Sequence, residues 1–392
     1  MPALLKSPRV TSVDVLRGLV IVVMALDHVR DFFHYQVDPT DIPKTIVPLF
    51  FTRWITHFCA PIFMLTAGMG AYLSLSRGKT RRELSWFLVT RGLWLVVLEV
   101  TWVRSFGWMF NFDYHLVFFL VIWTLGWSMV VLAGLIWLPP RLLTALCLVA
   151  IVGHNALDGI KVTGAWSWLW TILHAPGTLT PAPGYTIAVP YVLVPWVFVM
   201  ALGYCCGPVF TWAPARRQRA LIWTGSIAIA AFVLLRWLNG YGDPGRWTGQ
   251  RSPIFTVLSF LNTQKYPPSL DFLLMTLGPA CLLLALFEHW RGRVSQVLQV
   301  YGRVPMFFYL LHIPAIHGMA VLFALLRYGY AGFLFRNPGA DAGGSFSTPP
   351  GYGYSLWVVH GVWLAIVAAL YPLCLWFDNY KRAHRAAWLS YF

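Results

Sequence analysis

The stretch VTSVDVLRGLVIVVMALDHVRDFFH, residues 10–34, decides the fold. Its middle, Leu19 to Leu26, is unbroken hydrocarbon, while ionisable groups crowd both flanks. Asp14 and Arg17 lie on one side, and Asp27, His28, Arg30, Asp31 and His34 on the other. About 20 apolar residues in a helix cross a bilayer core, so the segment reads as a membrane span over 13–33. A basic start at Lys6 and Arg9 resembles a signal peptide, but Asp14, Arg17 and Asp27 are foreign to a signal core. A retained first helix is the expectation.

Outward from that helix the same pattern repeats. Hydrophobic residues make up 58% of the 392 and charged residues only 11%, with a mean hydropathy of +0.64. Soluble domains carry about 25% charged residues, so a large soluble core is excluded. Further spans are expected at 49–75, 84–105, 115–138, 141–156, 186–210, 219–239, 268–289, 304–327 and 354–378, the fifth being short. The predicted fold is an all-α, polytopic transmembrane bundle of about ten helices forming a single domain over 1–392.

The loops test that count. One set holds Lys6/Arg9, Arg77/Lys79/Arg81/Arg82, Arg141, Arg216/Arg217/Arg219, Arg291/Arg293/Arg303 and Lys381/Arg382/Arg385; the alternate set holds Asp38/Asp41, Asp113, Asp158 and Asp243. Every second loop is basic, which puts both ends in the cytoplasm. The net charge of +15 therefore marks topology and contact with anionic lipid, not a nucleic-acid face. The six cysteines all sit in apolar segments without a CxxC pair, so neither a zinc site nor a disulfide framework is expected.

The long outer loops, 157–185, 240–267 and 328–353, are rich in Gly, Pro, Trp and Tyr, as ordered caps would be. Trp166, Trp168, Trp170, Trp247 and Tyr266 suit either interface anchoring or a platform for a sugar ring. No internal repeat suggests inverted halves.

Ionisable groups inside a bilayer are costly unless paired or hydrated, and so mark function. Arg17 and His28 are separated by almost three full turns, roughly 16 Å along one face of the first helix. The second helix brings Arg53 and His57 at an i, i+4 spacing, with His57 at a depth near His28. Glu99, His317 and His360 fall in the same outer half, and His312 deeper toward the cytoplasm. Together they suggest a polar cavity, although His312, His317 and His360 are equally explained as hydrogen bonds between helices. A metal held by His28, His57 and a carboxylate lacks any spaced motif such as HExxH, and no metal is expected.

Four tracts resemble the bacterial branch of the heparan-α-glucosaminide N-acetyltransferase catalytic-domain family: RVTSVDVLRGLVIVVMALDHVRDFF (9–33), LFFTRWITHFCAPIFMLTAG (49–68), NTQKYPPSLDFLLMTLGP (262–279) and YGRVPMFFYLLHIPAIH (301–317). SVDVLRG is the most specific part. The spacing of Arg17 and His28 is also similar to the R-x10-H motif of a second membrane acyltransferase family, which O-acetylates bacterial surface glycans.

The resemblance implies an acetyl-CoA-dependent transmembrane acyltransferase in the cell inner membrane. Acetyl would pass from cytosolic acetyl-CoA to a hydroxyl or amine of an extracytoplasmic sugar or glycan. The chain departs from the lysosomal relative, which has an asparagine at the position of His28 and its proposed catalytic histidine in the following loop, where His34 is nearest. The expected catalytic set is His28 as base with Asp27 or His57 orienting it. The expected donor-binding set is Arg17, Asp14 and Arg53, with the basic loops at 77–82 and 291–303 near the phosphates of coenzyme A. Lipid is the surrounding partner, and lipid-facing helices leave a homodimer open. A transporter or flippase of a small anion or lipid-linked sugar is the competing expectation; no paired broken helices support it.

Overall fold

The computed structural model describes residues 10–35, 37–337, 348–384 and 386–392; the basic positions Lys6, Arg9 and Arg385 lie outside these. In chain order the helices are α1 (Thr11–Phe33), α2 (Val47–Trp54), α3 (Cys59–Ser76), α4 (Arg81–Leu98), α5 (Val121–Leu135), α6 (Pro140–Gly153) and α7 (Ser167–Leu173). They continue with α8 (Trp196–Cys206), α9 (Pro214–Leu238), α10 (Pro253–Leu261), α11 (Leu270–Phe287), α12 (Arg293–Arg303), α13 (Pro305–Tyr328) and α14 (Leu356–Ala383). The fold is an all-α polytopic bundle.

Among the described residues, seven segments are long and apolar enough to cross a membrane: Val47–Ser76, Arg81–Trp108, Pro140–Leu157, Pro214–Leu238, Leu270–Phe287, Pro305–Tyr328 and Leu356–Ala383. The short fifth span is among them. Two shorter apolar helices, Val121–Leu135 and Trp196–Thr211, occupy the fourth and sixth expected positions. The helix α1 stands at the position of the first expected span. Those two helices start later than expected because the chain before each is strand. β1 (Leu116–Phe118) pairs parallel with β3 (Tyr185–Val189), which pairs antiparallel with β2 (Gly177–Ala182).

The charged helix α1 is the hub, packing against α3, α11, α12, α13 and α14. Its polar groups thus face protein, where ionisable side chains are tolerated in a membrane. Four helix crossings are set by facing glycines. A Cβ on Gly18 would lie 1.8 Å from Leu298 O of α12, and one on Gly302 1.8 Å from Asp14 O. Gly68 and Gly203 do the same for α3 and α8, Gly92 and Gly126 for α4 and α5, and Gly225 and Gly278 for α9 and α11. Without a hydrophobic drive between helices in lipid, such close backbone approach is a main source of association.

One end of the bundle carries the basic segments. Ser12 donates to Glu288 at 2.7 Å, Arg217 pairs with the same carboxylate, and Arg303 grips Asp378 with two bonds of 2.9 and 2.7 Å. Residues 293–303, expected as a loop, form α12, which folds back along the first half of α1. At the other end two outer segments are folded around buried arginines. Arg236 donates to the carbonyls of Phe260, Gly245, Ser259 and Asn262, and Arg104 to those of Leu116, Asn111 and Asp113. These bonds satisfy backbone groups that irregular chain would otherwise bury unpaired.

Candidate active site

A cavity of about 980 Å³ opens at the outer end of α1, and Asp27, His28, Arg30, Asp31 and His34 line one wall. Arg53 comes from the last turn of α2, His57 from the segment joining α2 to α3, Trp108 from the end of the α4 span, and Tyr309 from α13. The cap over 240–267 contributes Asp243, Asn262, Lys265 and Tyr266. Asp243 accepts from Ser269 Oγ at 2.6 Å and Gln264 N at 2.8 Å, while burial pushes its carboxyl above the ordinary range.

His28 is held on two sides. The edge of Trp108 meets its ring at 5.1 Å between centroids, and His312 stacks on it at 5.0 Å. His28 Nδ1 is 2.7 Å from His312 Nε2. His312 Nδ1 lies 2.7 Å from Tyr309 O and 3.1 Å from Phe308 O. Carbonyl oxygens only accept, so His312 Nδ1 carries the proton and, in the neutral ring, Nε2 is the acceptor. His28 Nδ1–H must then be the donor to it. The lone pair of His28 is left on Nε2, in a ring that lines the cavity. A three-link chain from backbone to imidazole to imidazole thereby fixes the tautomer of His28 and leaves Nε2 as its basic nitrogen.

Asp27 is engaged elsewhere. Its Oδ1 accepts from Arg30 Nη2 at 2.9 Å and its Oδ2 from Arg53. Arg30 also reaches Asp31 at 2.5 Å. His57 is 3% exposed, tilts over Phe272 at 5.4 Å, and has no partner for Nδ1 among the described residues. So the structure brings His28, Asp27, Arg53 and His57 to one cavity, but the hydrogen-bonded orienter of His28 is His312, neither Asp27 nor His57. Arg53 belongs with this group, away from Arg17.

His312 was expected deeper than His28. The two are level because α12 lies along α1, with Gly302 against Asp14, so α13 starts already inside the bundle. Arg17 and Asp14 occupy the opposite half of α1. Arg17 donates to Thr66 O of α3 and lies near enough to Arg91 for the two charges to interact. Asp14 is 5% exposed beside α12.

The other ionisable groups of the outer half have structural work. Glu99 Oε2 accepts from Ile122 N and Trp123 N, both at 3.0 Å, and so caps α5 from outside that helix. The two ring nitrogens of His317 lie 2.8 Å from Gly107 O and 2.9 Å from Leu334 O, and His360 bonds Leu356 O of its own helix.

Sequence reasoning missed Lys265, which is 8% exposed and sits 5.2 Å from the Tyr266 ring and 5.7 Å from that of Tyr191. Its placement inside the quoted tract NTQKYPPSLD was the available signal. The loop aromatics divide: Tyr266 lines the cavity, whereas Trp166 and Trp168 are 67% and 51% exposed, as interface anchors are.

The family profile described as heparan-alpha-glucosaminide N-acetyltransferase, catalytic, matches residues 9–237. No curated protein matches the chain. The matched region holds α1 with Arg17 and His28, together with Arg53 and His57, while His312 and Lys265 come from beyond it. Spanning more than half of a polytopic membrane chain, that match makes the protein a member of the heparan-alpha-glucosaminide N-acetyltransferase catalytic family of membrane acetyltransferases.

Proposed function

We propose that the protein moves an acetyl group from cytosolic acetyl-CoA to a hydroxyl or amine of an extracytoplasmic sugar, in the cell inner membrane. The observation carrying this is His28, whose Nδ1 proton is held by His312 so that Nε2 is its proton acceptor, in a polar cavity lined by both carboxylates and cations at the outer end of the bundle.

In the proposed reaction the acceptor enters from the outer side against Tyr191, Tyr266 and Lys265. His28 Nε2 takes the acceptor proton as its oxygen or nitrogen attacks the thioester carbonyl. The new bond to the acetyl carbon forms, the carbon–sulfur bond breaks, and the imidazolium returns the proton to the departing thiolate. Arg30, Arg53 and Lys265 put positive charge where the carbonyl oxygen becomes negative. Asp27 keeps the two arginines in place, and His57 lines the same wall. On the cytoplasmic half, Arg17, next to Arg91 and with Asp14 on the same helix, takes the anionic end of coenzyme A. Arg303 and Arg217 on the same side are paired with Asp378 and Glu288.

Calorimetry with acetyl-CoA on protein in detergent tests the donor site. Loss of one charged hydrogen bond is worth about 1.5–3 kcal/mol, so Arg17→Ala is expected to bind roughly 10- to 150-fold more weakly. Wild-type affinity in the variant would move the site, and no binding by folded wild-type protein would favour a transporter.

A further inference from the structure

Outside that cavity, a second cluster of ligand-type side chains sits at the outer end of α6. His154 follows the last turn of α6, Asp158 is one turn further on, and His174 caps the C-terminus of α7. One ligand atom from each, a ring nitrogen or a carboxylate oxygen, lies within 4.8 Å of the others. None of the three lines the acyl-transfer cavity.

The two imidazoles are 2% exposed, with ring centroids 5.9 Å apart. His174 Nε2 lies 3.0 Å from Asp158 Oδ1. His154 Nδ1, His154 Nε2 and His174 Nδ1 have no hydrogen-bond partner among the described residues. Buried polar atoms without partners are rare and ask for a reason. Hydrogen bonding within the cluster does not supply it, since it uses one ring nitrogen of four.

We infer that His154, Asp158 and His174 bind a divalent d-block cation of the zinc class, with water completing the coordination. Two imidazoles and one carboxylate are the donors such ions prefer, whereas calcium and magnesium take oxygen. In a tetrahedral site with metal–ligand bonds of about 2.0–2.1 Å, ligand atoms sit ~3.4 Å apart. The His174–Asp158 pair is already near that spacing, and the ligand atom of His154 lies within 4.8 Å of both. An outer shell is in place: Asn155 Nδ2 holds Asp158 Oδ2 at 2.9 Å, while Asn155 Oδ1 accepts from Leu270 N at the start of α11 at 2.9 Å. Such second-shell bonds orient a carboxylate ligand. The bound ion releases the proton shared by His174 and Asp158 and ties α6 to α7 across the connection that carries Trp166.

The test uses the full-length protein, purified without a polyhistidine tag. Metal content is measured after washing, and Co²⁺ is then titrated into chelator-treated protein with zinc as competitor. About one equivalent of metal, with visible bands of tetrahedral or five-coordinate cobalt lost on zinc addition, is expected. His154→Gln should abolish the bands, Asn155→Ala should weaken binding about 10- to 100-fold, and His115→Gln, at an exposed histidine, should change nothing. Circular dichroism confirms that each variant is folded. Absence of a cobalt spectrum in folded wild-type protein, or an unchanged one in His154→Gln, overturns the assignment.

Discussion

Replacing His312 by leucine removes the acceptor that fixes the proton on His28 Nδ1. The bond concerned is 2.7 Å long, and His312 is fully buried, so water cannot take its place. An orphaned buried donor costs about 1–3 kcal/mol, which is the energy holding His28 in its productive tautomer. With about 1.36 kcal/mol per decade, the expected fall in kcat is roughly 5- to 150-fold, with KM for acetyl-CoA little changed. His312→Gln, whose side-chain oxygen can accept the same proton, should recover most of the rate. The assay is transfer of isotope-labelled acetyl from acetyl-CoA to glucosamine by protein in liposomes, with donor affinity measured separately. A His312→Leu enzyme of wild-type kcat, or equal losses in His312→Leu and His312→Gln, would refute the tautomer chain.

Three further outcomes follow from the packing. Glu99→Ala strips the acceptor from Ile122 N and Trp123 N, costing about 1–3 kcal/mol per buried donor, and should lower the thermal midpoint in detergent clearly more than Glu99→Gln does. Gly18→Ala drives a methyl to 1.8 Å from Leu298 O and forces α1 and α12 apart at a cost of about 1–3 kcal/mol or more; Gly134→Ala, with nothing within 4 Å, should be neutral or slightly stabilising in the same melt. Arg236→Met leaves four carbonyls and Asp243 without their cation, so limited proteolysis should cut within 240–267 faster than in the wild type while the remaining helices stay protected.

The spans were readable because each follows from length and hydrocarbon content, properties local to the sequence. Residues 115–120 and 186–189 misled for the same reason: a short apolar run reads equally as helix or strand until its pairing partner is known. The grouping of His28, Asp27, Arg53 and His57 was legible because α1 and the α2–α3 segment are neighbours in sequence and their depths can be counted. His312 was not, because its depth depends on where α12 lies, and that is set by the contacts of Gly18 and Gly302. The partner of a buried ion is likewise invisible in sequence. Asp27 chooses Arg53 and Arg30 over the adjacent His28 because a neighbour in sequence points about 100° around the helix. His154 and Asp158, one turn apart, form a recognisable ligand pair in HNALD, but the third member comes from α7.

The most direct test reconstitutes the protein in sealed vesicles, with labelled acetyl-CoA at the face carrying the basic segments and glucosamine on the other side. Transfer across the membrane by the wild type is predicted, with a fall of about 100-fold or more in His28→Ala and no change in acetyl-CoA affinity. Undiminished transfer by His28→Ala would contradict the assignment of His28 as the base.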